Sequence, residues 1–537
     1  MKFVKHILAC LLSVVLFFIS WPPNSVPGFI FVALVPLLWL IFNFDHPKRR
    51  YATWVLFGYL FFAFFCINFS LTSWLMNAHW GGGLFASIFN ASLMSIVFVL
   101  VYKLKNRMGD KHAYIGFSIL WLAFEYLHLN WEMTWPWMSL GNVFAEKTSW
   151  IQWYEYTGVL GGSLWVLLIN TLVYFSLTKV FSKRGFVKPI VFTLVFLFIP
   201  LWQSTQIASD FKISFETEVD VVIVQPNFEP HFEKFRVSQD IQLQRVEGLL
   251  DSVWKTNPDL IVLPETFITD WIWESRIGNS PVIKRMKSWL KKHPQTQILT
   301  GASTGRVLSE TESLKSTARL SQGGTFYEVF NTALLISATA PVQIFHKSKL
   351  VPGAEMTPFS LVLKPLFEMF PIELGGTIGN FGVNDSIFNF QSHVGDLAPM
   401  ICYESVFGAY VSAFVNKGAN WICIITNDGW WEDTYGHKQH NAYARLRAIE
   451  SRRFVVRSAN TGISSVINPF GMVEQFLPYG KSGIIEARII TSSELSYYSR
   501  YGDYIGRLAS FLAIIYLLQL ILTYLKNDTI DLKSLKK

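Results

Sequence analysis

The sequence predicts a multi-pass α-helical membrane domain of about eight spans, with an α/β domain inserted ahead of the last span. Two observations make that prediction. Hydrophobic residues account for 51% of the chain and charged residues for only 16%, against roughly 25% charged in an average soluble domain, and the mean hydropathy is +0.31. The apolar residues are also concentrated in runs of spanning length toward both ends, while about 215–490 contains no such run.

Seven spans are expected at about 6–20, 27–43, 52–75, 84–103, 113–128, 159–180 and 189–204, within a membrane domain of residues 1–210. Each must offer ~20 residues to cross the hydrocarbon core, so the short first and fifth runs need extension or tilt. The eighth is expected at 503–525, where Leu508–Tyr524 is almost unbroken apolar sequence. Met1–Ser20 has the outline of a signal peptide. Its apolar core continues past Cys10 with no small-residue cleavage site after it, so it reads as an uncleaved first span.

Basic residues orient the spans. Lys2 and Lys5 precede the first, Lys48, Arg49 and Arg50 follow the second, Lys103, Lys105, Arg107 and Lys111 follow the fourth, and Lys179, Lys183, Arg184 and Lys188 follow the sixth. Lys526, Lys533, Lys536 and Lys537 follow the eighth, whereas the loops 21–27 and 76–83 hold no Lys or Arg. By the positive-inside rule both termini are cytoplasmic and 215–490 lies across the membrane. The net charge of +8 is thus a topology signal, and no nucleic-acid partner is expected. The 129–158 loop carries Trp131, Trp135, Trp137, Trp150 and Trp153, read equally as an interfacial belt or as a surface that positions lipid.

The inserted region reads as a layered sheet. Apolar or β-branched runs at 221–225, 260–263, 297–300, 333–336, 400–401, 421–426 and 454–457 alternate with helical patterns such as 241–255 and 282–293. The four cysteines, at 10, 66, 402 and 423, make neither a disulfide framework nor a CxxC metal pattern. Cys402 differs from the others because it stands where the apolar run Ala-Pro-Met-Ile gives way to Tyr-Glu-Ser.

Acyl transfer through a thiol needs a thiolate, a base to make it and positive charge where the oxyanion develops. Cys402 is the candidate nucleophile. Glu265, at the end of Asp-Leu-Ile-Val-Leu-Pro-Glu (259–265), is the candidate base, and Lys347 the candidate oxyanion stabiliser, helped by the backbone N–H of Tyr403. Taken singly, a strand-end glutamate, a lysine or a cysteine is usually structural. Their joint occurrence at the ends of apolar strands reverses that weighting.

The strings Leu-Pro-Glu-Thr (263–266), Lys-x-x-Leu-Val-Pro-x-x-Glu (347–355) and Ile-Cys-Tyr-Glu (401–404) resemble the three signatures of the nitrilase, or carbon–nitrogen hydrolase, superfamily. Together with the eight spans, Leu-Val-Pro-Gly-Ala-Glu and Cys-Tyr-Glu resemble the bacterial apolipoprotein N-acyltransferase family. Asn331-Thr332-Ala333, Thr426–Trp430, Gln439-His440 and Arg457–Gly462 also fit it. The resemblance implies a nitrilase-like αββα sandwich over 215–490, with Glu265, Lys347 and Cys402 catalytic and Glu355, Tyr403 and Glu404 supporting. Two departures stand out. Lys349 replaces a frequent histidine, and Glu233-Lys234-Phe235 occupies the stretch where the family has a functional tryptophan.

The reaction implied is transfer of an acyl chain from a phospholipid, through a Cys402 thioester, to the α-amino group of a diacylglyceryl-modified lipoprotein. It implies no cofactor, and a bacterial inner-membrane enzyme whose catalytic domain is periplasmic. The apolar segment 358–375, with Phe367 and Met369, is read either as a membrane-facing lid or as an ordinary loop. His437 and His440 have no evident third metal ligand nearby in sequence. Two alternatives remain at this point. One is a membrane-tethered amidase that passes its acyl group to water. The other is a non-catalytic lipid-binding or transport protein, against which stands the scarcity of intramembrane charge apart from Glu125.

Overall fold

The computed structural model describes residues 2–24, 26–46, 48–182, 185–212, 216–251, 253–360, 380–384 and 386–534. Two compact units emerge, one of residues 1–73, 83–209 and 503–537, the other of 74–82 and 210–502. The short segment 74–82 joins two long apolar helices, includes the first turn of the second, and yet belongs to the second unit.

In the first unit, six helices among the described residues are long and apolar enough to cross a membrane: Lys2–Ser20, Tyr51–Thr72, Trp80–Met108, Tyr154–Phe181, Val187–Asp210 and Tyr504–Lys526. The other two expected spans are helical as well. Asp110–Asn130 is a 21-residue helix that carries Asp110, Lys111, His112, Glu125 and His128. Pro27–Asn43 is shorter and breaks at Leu34, because Pro36 has no N–H to continue the ladder. Asn170 repairs the break: its Oδ1 accepts from Leu34 N–H at 2.8 Å and its Nδ2 donates to Ile30 O at 2.8 Å. In a hydrocarbon setting freed backbone groups need such partners.

Part of the tryptophan-rich loop is packed inside its unit. Trp137 and Trp153 are buried. Buried Glu125 accepts from Leu140 N–H and Trp121 Nε1, both at 2.8 Å, and Ser163 Oγ accepts from Gly141 N–H at 2.9 Å. A side chain at Gly141 would collide with the backbone carbonyl of Val159, so this turn requires glycine.

The second unit holds two sheets. The first contains β1 (Glu218–Gln225), β2 (Leu260–Val262), β3 (Ile268–Trp273), β4 (Gln297–Val307), β5 (Arg319–Leu320), β6 (Phe326–Ile336) and β7 (Gln343–His346). The second contains β8 (Leu397–Ile401), β9 (Trp421–Thr426), β10 (Val455–Ala459), β11 (Ser464–Ile467) and β12 (Val473–Leu477). A last strand, β13 (Gly483–Ile490), returns to the first sheet beside β1. Strand order is β13-β1-β2-β4-β6-β5 in one, with β3 on β4 and β7 on β6, and β12-β11-β10-β9-β8 in the other.

Alternation along β1 explains the layering. Val221 and Ile223 join Leu260, Val262 and Leu299 in a core shared with Met400, Ile422 and Ile424 of the second sheet. Val222 and Val224 point the other way, into a core with Leu243, Val246, Ile283 and Met286 from helices Gln239–Leu250 and Pro281–Leu290. Helices Gly408–Asn416 and Tyr435–Ser451 add Val411, Phe414, Ala444 and Ala448 to the core of the second sheet. The product is a helix–sheet–sheet–helix sandwich. β9 is buried along its whole length, as a parallel strand covered on both faces must be. Burying each Val, Leu or Ile contributes about 1.5–3 kcal/mol.

Several expected strands are longer than their apolar runs suggested. β4 and β6 each extend to 11 residues because they pair antiparallel from Ile298↔Ile336 to Val307↔Tyr327. That pairing carries polar residues such as Asn331 and Thr304 into the interior.

Candidate active site

The parallel strands end on one edge of the sandwich, and the chemistry gathers where they end. Glu265 follows β2 by three residues and is buried. The chain turns sharply there: Thr266 has φ +47, a left-handed conformation that only a well-braced turn retains. Gly301 of β4 is the brace. Its N–H donates to Pro264 O at 3.1 Å, and a Cβ on it would lie 2.7 Å from Glu265 Cα.

Lys347 follows β7 directly and is 1% exposed. Its Nζ donates to Glu355 Oε1 at 2.8 Å and to Glu265 Oε1 at 3.2 Å, and its backbone N–H to Asn331 O at 2.8 Å. Burial alone would lower its pKa. The charges of Glu265 and Glu355 outweigh burial and hold the ammonium well above its ordinary value. The ammonium is therefore a permanent charge at neutral pH.

Glu355 is fixed from both sides. Its Oε2 accepts from Val351 N–H at 2.8 Å, and its Oε1 takes Asn331 Nδ2 at 3.2 Å besides Lys347. Asn331 also donates to Glu265 Oε1 at 2.8 Å. One amide and one ammonium thus bind both carboxylates.

Cys402 follows β8 in a left-handed conformation, φ +52. Burial pushes its thiol pKa far up, the Glu265 and Asp428 carboxylates add to that, and Lys347 and a Thr426 contact oppose it without prevailing. At neutral pH the group is a thiol. A thiol in this position becomes a nucleophile only when a base removes its proton during the reaction.

The two residues after it support the turn. Tyr403 is buried with its ring 5.1 Å from Phe407, edge to face. Glu404 is fully buried and ties three segments together. Its Oε2 accepts from Ile401 N–H at 2.9 Å, and its Oε1 accepts from Ser348 N–H at 2.7 Å and Tyr410 O–H at 2.8 Å. Burial raises the Glu404 pKa to about 7 despite these donors. Cys402 and Lys347 are held in register through this one carboxyl. Lys349, in place of the frequent histidine, points its ammonium at the Phe407 ring, 5.3 Å from the centroid.

Behind Cys402 lies a buried group that sequence reasoning did not assemble. His440 Nδ1 is 2.9 Å from Asp428 Oδ1, and its Nε2 lies 3.0 Å from Ser405 Oγ and 3.3 Å from Cys402 O. Arg457 Nη2 donates to Asp428 Oδ2 at 2.5 Å. Burial would raise the Asp428 pKa, but Arg457 and His440 hold it well below the usual carboxylate range. Cys402, Asp428 and His440 present ligand atoms within 4.8 Å of one another, so His440 has the neighbours that its sequence surroundings did not reveal. The Arg457 guanidinium already supplies the positive charge there. The only signals in the sequence were the family strings around Asp428, His440 and Arg457.

Segment 74–82 packs on the same region of its unit. Trp74 Nε1 donates to Gln439 Oε1 at 3.2 Å, its ring lies 4.7 Å from Trp431, and Asn77 Nδ2 donates to Glu432 Oε2 at 3.2 Å. Phe235 stacks on Trp430 at 6.1 Å, supplying a packing surface where the family has tryptophan. Residues 361–375 of the expected lid segment 358–375 lie outside the described residues.

Known proteins resemble this chain along most of its length. The family of the apolipoprotein N-acyltransferase N-terminal domain matches residues 13–172, and the carbon-nitrogen hydrolase family matches residues 223–500. An apolipoprotein N-acyltransferase of Chlorobaculum tepidum is 29% identical over 90% of each chain. Apolipoprotein N-acyltransferase 1 of Treponema denticola is 26% identical over 96% of each. Among solved structures, a CN-hydrolase superfamily protein from Xanthomonas campestris covers 51% of this chain and 91% of its own, at 16% identity and a TM-score of 0.35. With more than half of its length matched by the family's pattern, the chain belongs to the carbon–nitrogen hydrolase family.

Proposed function

We propose that this chain is an N-acyltransferase that moves an acyl chain from a phospholipid to the α-amino group of a diacylglyceryl-modified lipoprotein. The observation that carries the reading is the buried Glu265–Lys347–Glu355 cluster beside Cys402, in a chain similar to apolipoprotein N-acyltransferases along 90% or more of its length. The candidate spans keep such an enzyme where both lipid substrates reside. The distribution of Lys and Arg among the loops supports a bacterial inner-membrane enzyme with a periplasmic catalytic unit.

In the first half-reaction, Cys402 Sγ attacks the acyl ester carbonyl while Glu265 takes the thiol proton. Lys347 and the Tyr403 N–H face the oxyanion, in the manner of preorganised donors. The ester C–O bond breaks, and Glu265 returns the proton to the departing oxygen, giving a lysophospholipid and a thioester. In the second, the neutral α-amine, with a pKa of ~8, attacks the thioester. Its proton passes through Glu265 to the departing Cys402 sulfur, which restores the enzyme. Glu355 and Glu404 hold Lys347 and the nucleophile turn throughout.

Intact-mass analysis of the full chain with phospholipid, beside Cys402→Ala, tests this. The expected result is an acyl adduct on the wild type alone, discharged by a diacylglyceryl-cysteine peptide to give N-acyl peptide. An adduct lost to water with the peptide unmodified would replace transfer by hydrolysis. No adduct on folded protein would reject the acyl-enzyme altogether.

A further inference from the structure

Lys234 is a buried part of the site for which the reaction above has no task. It lies in the turn between β1 and the Gln239–Leu250 helix and is 1% exposed. Its Nζ donates to the backbone O of Glu265 and to Thr266 Oγ1, each at 2.8 Å. In the amide orientation that satisfies its neighbours, Asn427 offers a third oxygen at 3.2 Å. All three acceptors are formally neutral. A buried ammonium without a carboxylate in contact is costly, and this one sits on the very residue proposed as the base.

We infer that Lys234 is a positioning residue for the acyl-transfer reaction, one that pins the Glu265–Thr266 turn and supplies the second positive charge of the site. The turn needs pinning, since Thr266 is left-handed and Gly301 leaves the backbone no room to relax toward β4. The charge is needed by count. Glu265 and Glu355 share a single ammonium, that of Lys347. With Lys234 the four groups balance, and the balance survives transfer of the thiol proton to Glu265, when the negative charge moves to sulfur. Without it, the thiolate and the oxyanion would form in a cluster already carrying one excess negative charge.

The groups facing Lys234 are Glu265 and Thr266 after β2, Cys402 after β8, Asn427 after β9, and Gln242, whose Nε2 donates to the Lys234 carbonyl at 2.8 Å. Burial lowers the Lys234 pKa to about 7, with Glu265 and Cys402 opposing the shift. The charge is therefore present below about pH 7 and withdrawn as pH rises through that value.

This inference rests on the acyl-transfer reading, and its test isolates the first half-reaction, in which the acceptor amine plays no part. The rate of thioester formation on the full chain is measured by intact mass from pH 6 to 9 for wild type, Lys234→Met and Lys234→Arg. The wild-type rate should fall about tenfold across that range, as a positioned ammonium deprotonates. Lys234→Met should be slow, by about tenfold at pH 6, and independent of pH. Lys234→Arg, whose charge persists across the range, should lose the alkaline fall. A wild-type rate in Lys234→Met, or an unchanged alkaline fall in either variant, would overturn the inference. Should Lys234→Met not fold, the profile of Lys234→Arg decides. If the wild type forms no thioester, the function reading fails on its own. Lys234 is then judged by iodoacetamide alkylation of Cys402 at pH 6.5, which Lys234→Met should slow about tenfold through loss of the charge facing the sulfur; an unchanged rate overturns it.

Discussion

Asn331 Nδ2 donates to Glu265 Oε1 across 2.8 Å, from the middle of an 11-residue strand to the turn after another. Lys347 engages the same Oε1 at 3.2 Å, so the two donors together set the orientation of the carboxylate. Asn331→Leu removes the amide donor while keeping the branched shape of the side chain. We expect thioester formation to slow at least tenfold and stability to fall by about 1.5–3 kcal/mol, the range for a hydrogen bond to a charged group. Intact-mass kinetics and thermal unfolding of the same preparation check both.

Glu265→Gln should leave the fold intact and lower the rate of thioester formation by roughly 10²–10⁴, the usual contribution of a general base. The same substitution reports the state of Cys402. Its thiol pKa is raised mainly by burial, so the thiolate fraction at pH 7 is small and grows with pH. Alkylation of Cys402 by iodoacetamide in the Glu265→Gln, Lys234→Met double variant, which removes the Lys234 titration, should therefore rise about tenfold per pH unit up to pH 9 without levelling, as the thiolate is the reactive form. A plateau below pH 8 would contradict the raised pKa.

Gly301→Ala tests the brace beneath the base. The added methyl meets Glu265 Cα at 2.7 Å, so the turn must move. Activity should fall more than tenfold while β4 remains paired, visible as unchanged far-UV circular dichroism. Retained activity would show that the turn tolerates displacement.

Arg457→Met leaves the Asp428 carboxylate buried with His440 and the Thr426 hydroxyl but without its guanidinium partner. Breaking such a pair on one side costs about 3–5 kcal/mol. A matching loss in thermal or denaturant unfolding is expected, larger than that of Asn331→Leu.

Segment 74–82 supplies a gentler test. Trp74→Phe keeps an aromatic ring against Trp431 and removes the donor to Gln439. A loss of about 1 kcal/mol in unfolding, the net worth of one such bond, is expected.

Much of this molecule follows from local sequence. Spanning helices require only length and apolarity, so the six helices long and apolar enough to cross a membrane among the described residues fall where the hydrophobic runs lie. The strands before Glu265 and Cys402 follow from short apolar runs, and the residue types at their ends already suggested thiol chemistry. Tertiary structure alone decided the rest. Glu265 and Lys347 are 82 residues apart and touch because β2, β4, β6 and β7 pair in one sheet. Asn331 reads as an ordinary strand residue until that pairing points it between two carboxylates. Lys234 and the Asp428–His440–Arg457 group are buried charges, and nothing in a polar residue's sequence neighbours announces that it will be taken out of water. Hydrophobic periodicity is a local property of the chain. Desolvation, and the long-range pairing that compensates it, exist only once the layers have closed.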